Sequence, residues 1–150
     1  MTFAKGIQNM ASLEPVKRHG NEPLCIFCAD EYEEILKMKK AICDFEARGN
    51  ASLGIILKTN NAAKTLYDKL SQECEVNLIS PASASFKNGV SITSIQMSKG
   101  LEFDEVIVPQ ANSDTYRTEY DRSLLYIACT RAMHRLTLMY TGDISRFITQ

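Results

Sequence analysis

Leu53–Leu70 reads LGIILKTNNAAKTLYDKL. Its first five residues form an apolar run of strand length. The rest follows a different period, with Ala63, Leu66, Tyr67 and Leu70 at i, i+3, i+4 and i+7, the spacing of one helix face. Asn60 or Asn61, between the two, carries a side-chain oxygen able to cap the first free N–H groups of that helix. A strand that runs directly into a helix is the repeating unit of α/β folds, and the flanking sequence repeats it.

Upstream, Leu24–Ala29 is a second short apolar run. Asp30 with Glu33 forms a capping-box pattern opening a helix that carries Tyr32, Ile35, Leu36, Ile42 and Phe45 and ends at Gly49. Its acidic residues come first and Lys37, Lys39 and Lys40 later, as the helix dipole favours. Downstream, Val76–Ile79, Val90–Ile95, Glu105–Pro109 and Leu136–Tyr140 read as strands. Thr118 with Asp121 starts a helix expected to reach about Met133, and Asp143–Ile148 reads as a terminal helical turn. Residues 80–89, SPASASFKNG, have loop composition. The expectation is an α/β, three-layer domain, a mainly parallel sheet with helices on both faces, over residues 23–150. Residues 1–22 read as a short helix (Phe3 to Met10) and a connector.

Composition narrows the class. The 150 residues suit one domain with a sizeable core. A net charge of −1 gives no broad basic field, so any nucleic acid must be met through local contacts. No apolar run approaches the roughly 20 residues that span a bilayer, and MTFAKGIQNM lacks a secretory signal, so the expectation is a cytoplasmic protein without a membrane partner. Five cysteines, an odd number, argue against a closed disulfide framework. Cys25 and Cys28 have CxxC spacing but sit on a strand, where residues three apart point to opposite faces, so no metal site is expected. His19 and His134 are isolated, without the paired base that catalysis needs. Tyr67, Phe103 and Tyr126 read as core.

Two segments are not explained by local folding rules. In Ser94–Phe103, SIQMSKGLEF, a strand runs into a Lys-Gly turn with Glu102 close behind. This segment is expected beyond the carboxyl end of a strand, where open parallel sheets bind ligands, with Gly100 supplying a positive φ and Lys99 and Glu102 turned to that edge. In Arg122–Ala132, RSLLYIACTRA, helical spacing sets Arg131 on the face of Leu124, Ile127 and Ala128, with Leu125 and Ala132 widening a surface expected to be buried nearly all round. A guanidinium there needs an anion or a route to a cleft. No G-x-x-x-x-G-K-[ST] occurs, so the chain has parts suited to touching a nucleotide but not the loop that holds one. Without G-x-G-x-x-G, a dinucleotide-dependent enzyme is disfavoured.

Together, SIQMSKGLEFDEVIVP and DRSLLYIACTRAMHRLTL resemble motifs V and VI of UvrD/Rep-type superfamily 1 DNA helicases. GIILKTNNAAKTLYDKL and RHGNEPLCIFCADEYEE are similar to the preceding stretches, so the likeness spans most of residues 15–140. It implies a RecA-like second motor domain, whose ATP and Mg²⁺ are held mainly by an N-terminal RecA-like domain outside this chain. The family's Tyr-Arg motif IV would then lie just upstream of Met1, and the chain alone would be inactive. On this resemblance Arg131 matches the arginine finger, Glu102 a nucleotide contact, and Gly100 the glycine that admits the backbone. Gln96 and Ser94 link the nucleotide state to single-stranded DNA, and Thr59 and Asn60 meet the DNA backbone. Gln96 stands where the family has His, and only Glu75 to Val90 remain where a large inserted subdomain is usual. The competing reading is a non-catalytic module that docks onto another helicase or RNA polymerase.

Overall fold

The computed structural model describes residues 23–81 and 88–148. The expected helix at Phe3–Met10, the 1–22 connector and most of the 80–89 loop lie outside those residues. In chain order the elements are β1 (Leu24–Cys28), α1 (Glu31–Arg48), β2 (Ser52–Leu57), α2 (Asn60–Leu70), β3 (Asn77–Ile79), β4 (Gly89–Ser94), β5 (Phe103–Val108), α3 (Glu119–Cys129) and β6 (Ala132–Thr141).

The six strands form one sheet in the order β1-β6-β5-β2-β4-β3, and every pairing between them is parallel. Two apolar clusters fill its faces. Leu53, Ile55 and Leu57 of β2 pack with Met38, Ile42 and Phe45 of α1 and with Ala63, Leu66 and Leu70 of α2. Ile56, Phe103, Val106 and Val108 pack on the opposite face with Leu125 and Ala128 of α3 and with Phe147 and Ile148. The α/β three-layer expectation is met, with α1 and α2 on one face and α3 on the other. Cys25 packs toward the α3 cluster and Cys28 toward the α1 cluster, as strand alternation requires. None of the five cysteines is joined in a disulfide.

Local chemistry sets the helix boundaries. Asp30 accepts the Glu33 N–H at 2.8 Å, while the Glu33 carboxylate takes the Ala29 N–H at 2.6 Å. Gly49, at φ +81°, closes α1 in the left-handed conformation. Helix α2 is capped by Thr59, whose hydroxyl accepts the Ala62 N–H at 3.1 Å, rather than by Asn60 or Asn61. The capping box of α3 is complete: Thr118 accepts from the Asp121 N–H at 3.1 Å, and the Asp121 carboxylate accepts from the Thr118 N–H at 3.0 Å.

Three expectations change. Helix α3 stops at Cys129, not near Met133, because the Phe103 N–H donates to the Arg131 carbonyl and Ala132 pairs with Phe103 to start β6. Its burial is one-sided: Asp121, Leu125, Ala128 and Cys129 are buried, while Tyr120 is exposed. The tail at Asp143–Ile148 is not helical; Ile144 makes an antiparallel bridge to Asn112 and the chain turns at Arg146–Phe147.

Topology creates a divide between the neighbours β2 and β5. The chain leaves β2 through α2 toward β3 and leaves β5 through α3 toward β6, so the two connections part in opposite directions. Doubly wound sheets bind ligands at such a parting, beyond the carboxyl ends of the strands.

Candidate functional site

The residues singled out from the sequence fall on two opposite edges of the sheet. Thr59 and Asn60 follow the carboxyl end of β2, Ser94 is the last residue of β4 and Gln96 follows it; Glu102 and Arg131 immediately precede β5 and β6 at the amino ends.

At the amino edge, Glu102 and Arg131 are brought together by strand pairing. The Phe103 N–H donates to the Arg131 carbonyl at 2.9 Å, and Phe103 is paired with Ala132. The guanidinium of Arg131 lies across the approach to β5, donating to the carbonyls of Leu101 at 3.4 Å and Ile127 at 3.3 Å and to the Thr130 hydroxyl at 3.0 Å. All three acceptors are neutral, and among the described residues Arg131 has no anionic partner. Its charge is thus oriented but not compensated, a state suited to receiving an anion. Glu102 is exposed beside it. Arg131 is not on the helical face expected for it; it sits in the tight turn between α3 and β6, and that turn aims it at the edge.

The placement of Glu102 corrects the expectation that SIQMSKGLEF lies wholly beyond a carboxyl end. Both β4 and β5 are parallel to β2, so the chain leaving β4 must cross back to the opposite edge before β5 begins. It does so in a compact turn, with the Ser98 N–H bonded to the Ser94 carbonyl at 3.0 Å and the Leu101 N–H to the Ser98 carbonyl at 2.9 Å. Gly100 adopts φ +84°, a conformation that side chains rarely tolerate, and directs the chain into β5. One connection therefore touches both edges.

At the carboxyl edge, Thr59 is exposed, Asn60 half-buried, and Gln96 exposed. Ser94 is buried, and its hydroxyl accepts the Met97 N–H at 3.1 Å, so it holds the turn rather than presenting itself to solvent.

Three charged groups of this framework escaped the sequence reading. Lys58, at the end of β2, pairs with Asp121 at 2.8 Å, donates to the Thr115 carbonyl at 2.7 Å and lies 5.8 Å from the centre of the Tyr116 ring. Burial pushes the Asp121 carboxyl up, but Lys58 and the N–H groups of Thr118 and Arg117 outweigh it and hold the group well below the usual carboxylate range. Glu105 is buried against Arg48, at 2.6 and 2.9 Å, and Asn50; desolvation raises its pKa, and these hydrogen bonds bring it below the ordinary value. Glu34 is buried, and among the described residues no cation pairs with it. Sequence offered one signal, since Asp121 was already marked as a cap; the partners of Glu34 and Glu105 lie 76 and 57 positions away.

Comparisons with known proteins agree with this architecture. Residues 89–139 match the family model described as UvrD-like helicase C-terminal domain. That span runs from β4 to within β6 and contains Ser94, Gln96, Gly100, Glu102 and Arg131. The chain is similar to the C-terminal domain of a possible DNA helicase from Lactobacillus plantarum WCFS1, with a TM-score of 0.80 and 29% identity over 97% of this chain and 85% of that one. It also shares its fold with an Arterivirus helicase, nonstructural protein 10, solved with DNA (TM-score 0.57, 11% identity, 95% of this chain). The SWI2/SNF2 ATPase core of Sulfolobus solfataricus, in complex with dsDNA, is a further fold relative (TM-score 0.55, 11% identity, 93% of this chain). The chain spans 32% and 31% of those two proteins. No curated protein matches it. Through the motifs that run from β4 to β6, set on a RecA-like sheet, this chain is similar to the UvrD-like helicase C-terminal domains.

Proposed function

We propose that this domain is the second half of an ATP-driven motor, supplying an arginine finger and a nucleotide contact from its amino edge and part of a single-stranded DNA track from its carboxyl edge. The observation that carries the reading is the convergence of Glu102 and the uncompensated guanidinium of Arg131 on one rim, joined through the Phe103–Arg131 hydrogen bond. That rim has a positive charge held in place by neutral acceptors and a carboxylate next to it. It has no means of holding a triphosphate by itself. In this reading ATP is bound by the P-loop of a preceding RecA-like domain, and closure of the two domains brings Arg131 to the γ-phosphate.

Arg131 then spreads the charge that develops on the phosphoryl oxygens, a contribution typically worth about 10³–10⁵ in rate. Being already oriented by Leu101, Ile127 and Thr130, the side chain has little reorganisation left to make. Glu102 accepts a hydrogen bond from the nucleotide on the same side. Mg²⁺ would neutralise the β- and γ-phosphates; no cluster of three or more His, Cys, Asp or Glu able to hold a metal occurs among the described residues, so its ligands are assigned to the P-loop domain. On the other edge, Thr59, Asn60 and Gln96 would face the strand, with Ser94 shaping the turn that presents Gln96.

Hydrolysis measured with a P-loop domain supplied, in cis or in trans, tests this. Arg131→Ala should lower kcat by about 10³ or more with a much smaller change in KM for ATP, and the chain by itself should not hydrolyse ATP. Turnover by the isolated chain that survives Arg131→Ala would defeat the assignment.

A further inference from the structure

Between α1 and α2, above the carboxyl ends of β2 and β5, lies a cleft of about 160 Å³. Three independent features meet there. The first is topological, for this is where the connections from β2 and β5 part. The second is Glu34, whose side chain lines the cleft although the residue is only 3% exposed. One carboxylate oxygen accepts the Gln110 N–H at 2.8 Å, and no cation pairs with it among the described residues. The other buried carboxylates, Glu105 and Asp121, have Arg48 and Lys58 respectively. The third is Gln110, on the cleft wall at φ +56°, the one non-glycine residue with a positive φ among those described. Backbone strain of that kind gathers at ligand sites.

We propose that this cleft receives the side chain of an arginine presented by a partner protein, its guanidinium against Glu34 and its methylenes on Ile35, Met38 and Leu66. Charge complementarity selects the occupant, because Glu31 and Glu34 outweigh Lys69 on the lining. A buried carboxylate without a counter-ion is costly, and a guanidinium supplies both the charge and the planar N–H donors that match it. The apolar walls accept the alkyl stem, as long cationic side chains require. The cleft opens on the carboxyl edge, away from Arg131, so it is separate from the nucleotide rim.

The test is an amide chemical-shift titration of the 150-residue chain with N-acetyl-arginine methylamide, and with the neutral citrulline analogue as control. The arginine compound should move the Gln110, Ala62 and Thr65 amides with a Kd of about 1–10 mM, as befits a single side chain. The citrulline compound should bind roughly tenfold more weakly or not at all. Glu34→Gln, which keeps an acceptor for the Gln110 N–H, should abolish the arginine preference while its thermal melt shows an intact fold. Glu31→Gln should weaken binding by a smaller factor. Equal shifts from both compounds, an unaltered response in Glu34→Gln, no response at these amides, or displacement of the arginine compound by an oligo-dT strand that itself moves Gln110 would each overturn the proposal.

Discussion

Glu34 and Gly54 show how much a single position can carry in this fold. Desolvation raises the Glu34 carboxyl above its ordinary 4.5, and the charge of Glu31 adds to this, against the lowering effect of the Gln110 N–H. A raised folded-state pKa means that folding favours the protonated acid. The contribution is fully present below 4.5 and is lost as pH rises through the folded value. Glu34→Gln should therefore melt at a higher temperature than the parent at pH 7, with the gap closing as the pH falls below 4.5. A variant less stable at pH 7 would contradict this. Gly54 is dictated by a different constraint: a Cβ there would lie 2.5 Å from the Phe103 ring. Gly54→Ala should cost about 1–3 kcal/mol in urea unfolding, and Phe103→Leu should relieve part of that cost in the double variant. Neither effect was readable from sequence, because Glu34 reads as an ordinary acidic residue in a first helical turn and Gly54 as a break in an apolar run.

Among the elements, the ion pair between Lys58 and Asp121 joins the end of β2, where the carboxyl-edge residues begin, to the first turn of α3. At about 1.5 Å per residue the 11-residue α3 is roughly 16 Å long, and its far end leads into Arg131. Breaking the pair leaves a shielded charge alone. Lys58→Met and Asp121→Asn are each expected to cost about 3 kcal/mol, and the double variant less than their sum. Because the folded Asp121 titrates below its ordinary 3.8, the pair contributes fully above that pH and fades as acid is added through the lowered value. Urea unfolding of the single and double variants, repeated at low pH, checks both statements. The strands and helices themselves were legible, since five-residue apolar runs, the Asp30 and Thr118 caps and Gly49 are local signals. What could not be read was the end of α3, which depends on the pairing of Ala132 with Phe103, and the return of the β4–β5 connection to the amino edge, which depends on all the strands being parallel.

For the molecule as a whole, the site residues named from sequence separate into an amino-edge pair, Glu102 and Arg131, and a carboxyl-edge group, Thr59, Asn60, Ser94 and Gln96, with the segment Ile95–Glu102 running from one edge to the other. A device that converts nucleotide state into movement on a strand needs two such surfaces and a connection between them. Sequence supplied the membership of each group through motif resemblance; only the parallel sheet assigns the groups to opposite edges. The most direct measurement is a pair of amide chemical-shift titrations on the chain, one with oligo-dT and one with MgATP. Oligo-dT should move Thr59, Asn60 and Gln96, while MgATP, at millimolar concentration, should move Gly100, Glu102 and Arg131 and leave the first group unmoved. Should both ligands map to one edge, or MgATP settle in the cleft beside Glu34, the division of labour between the two edges would be wrong.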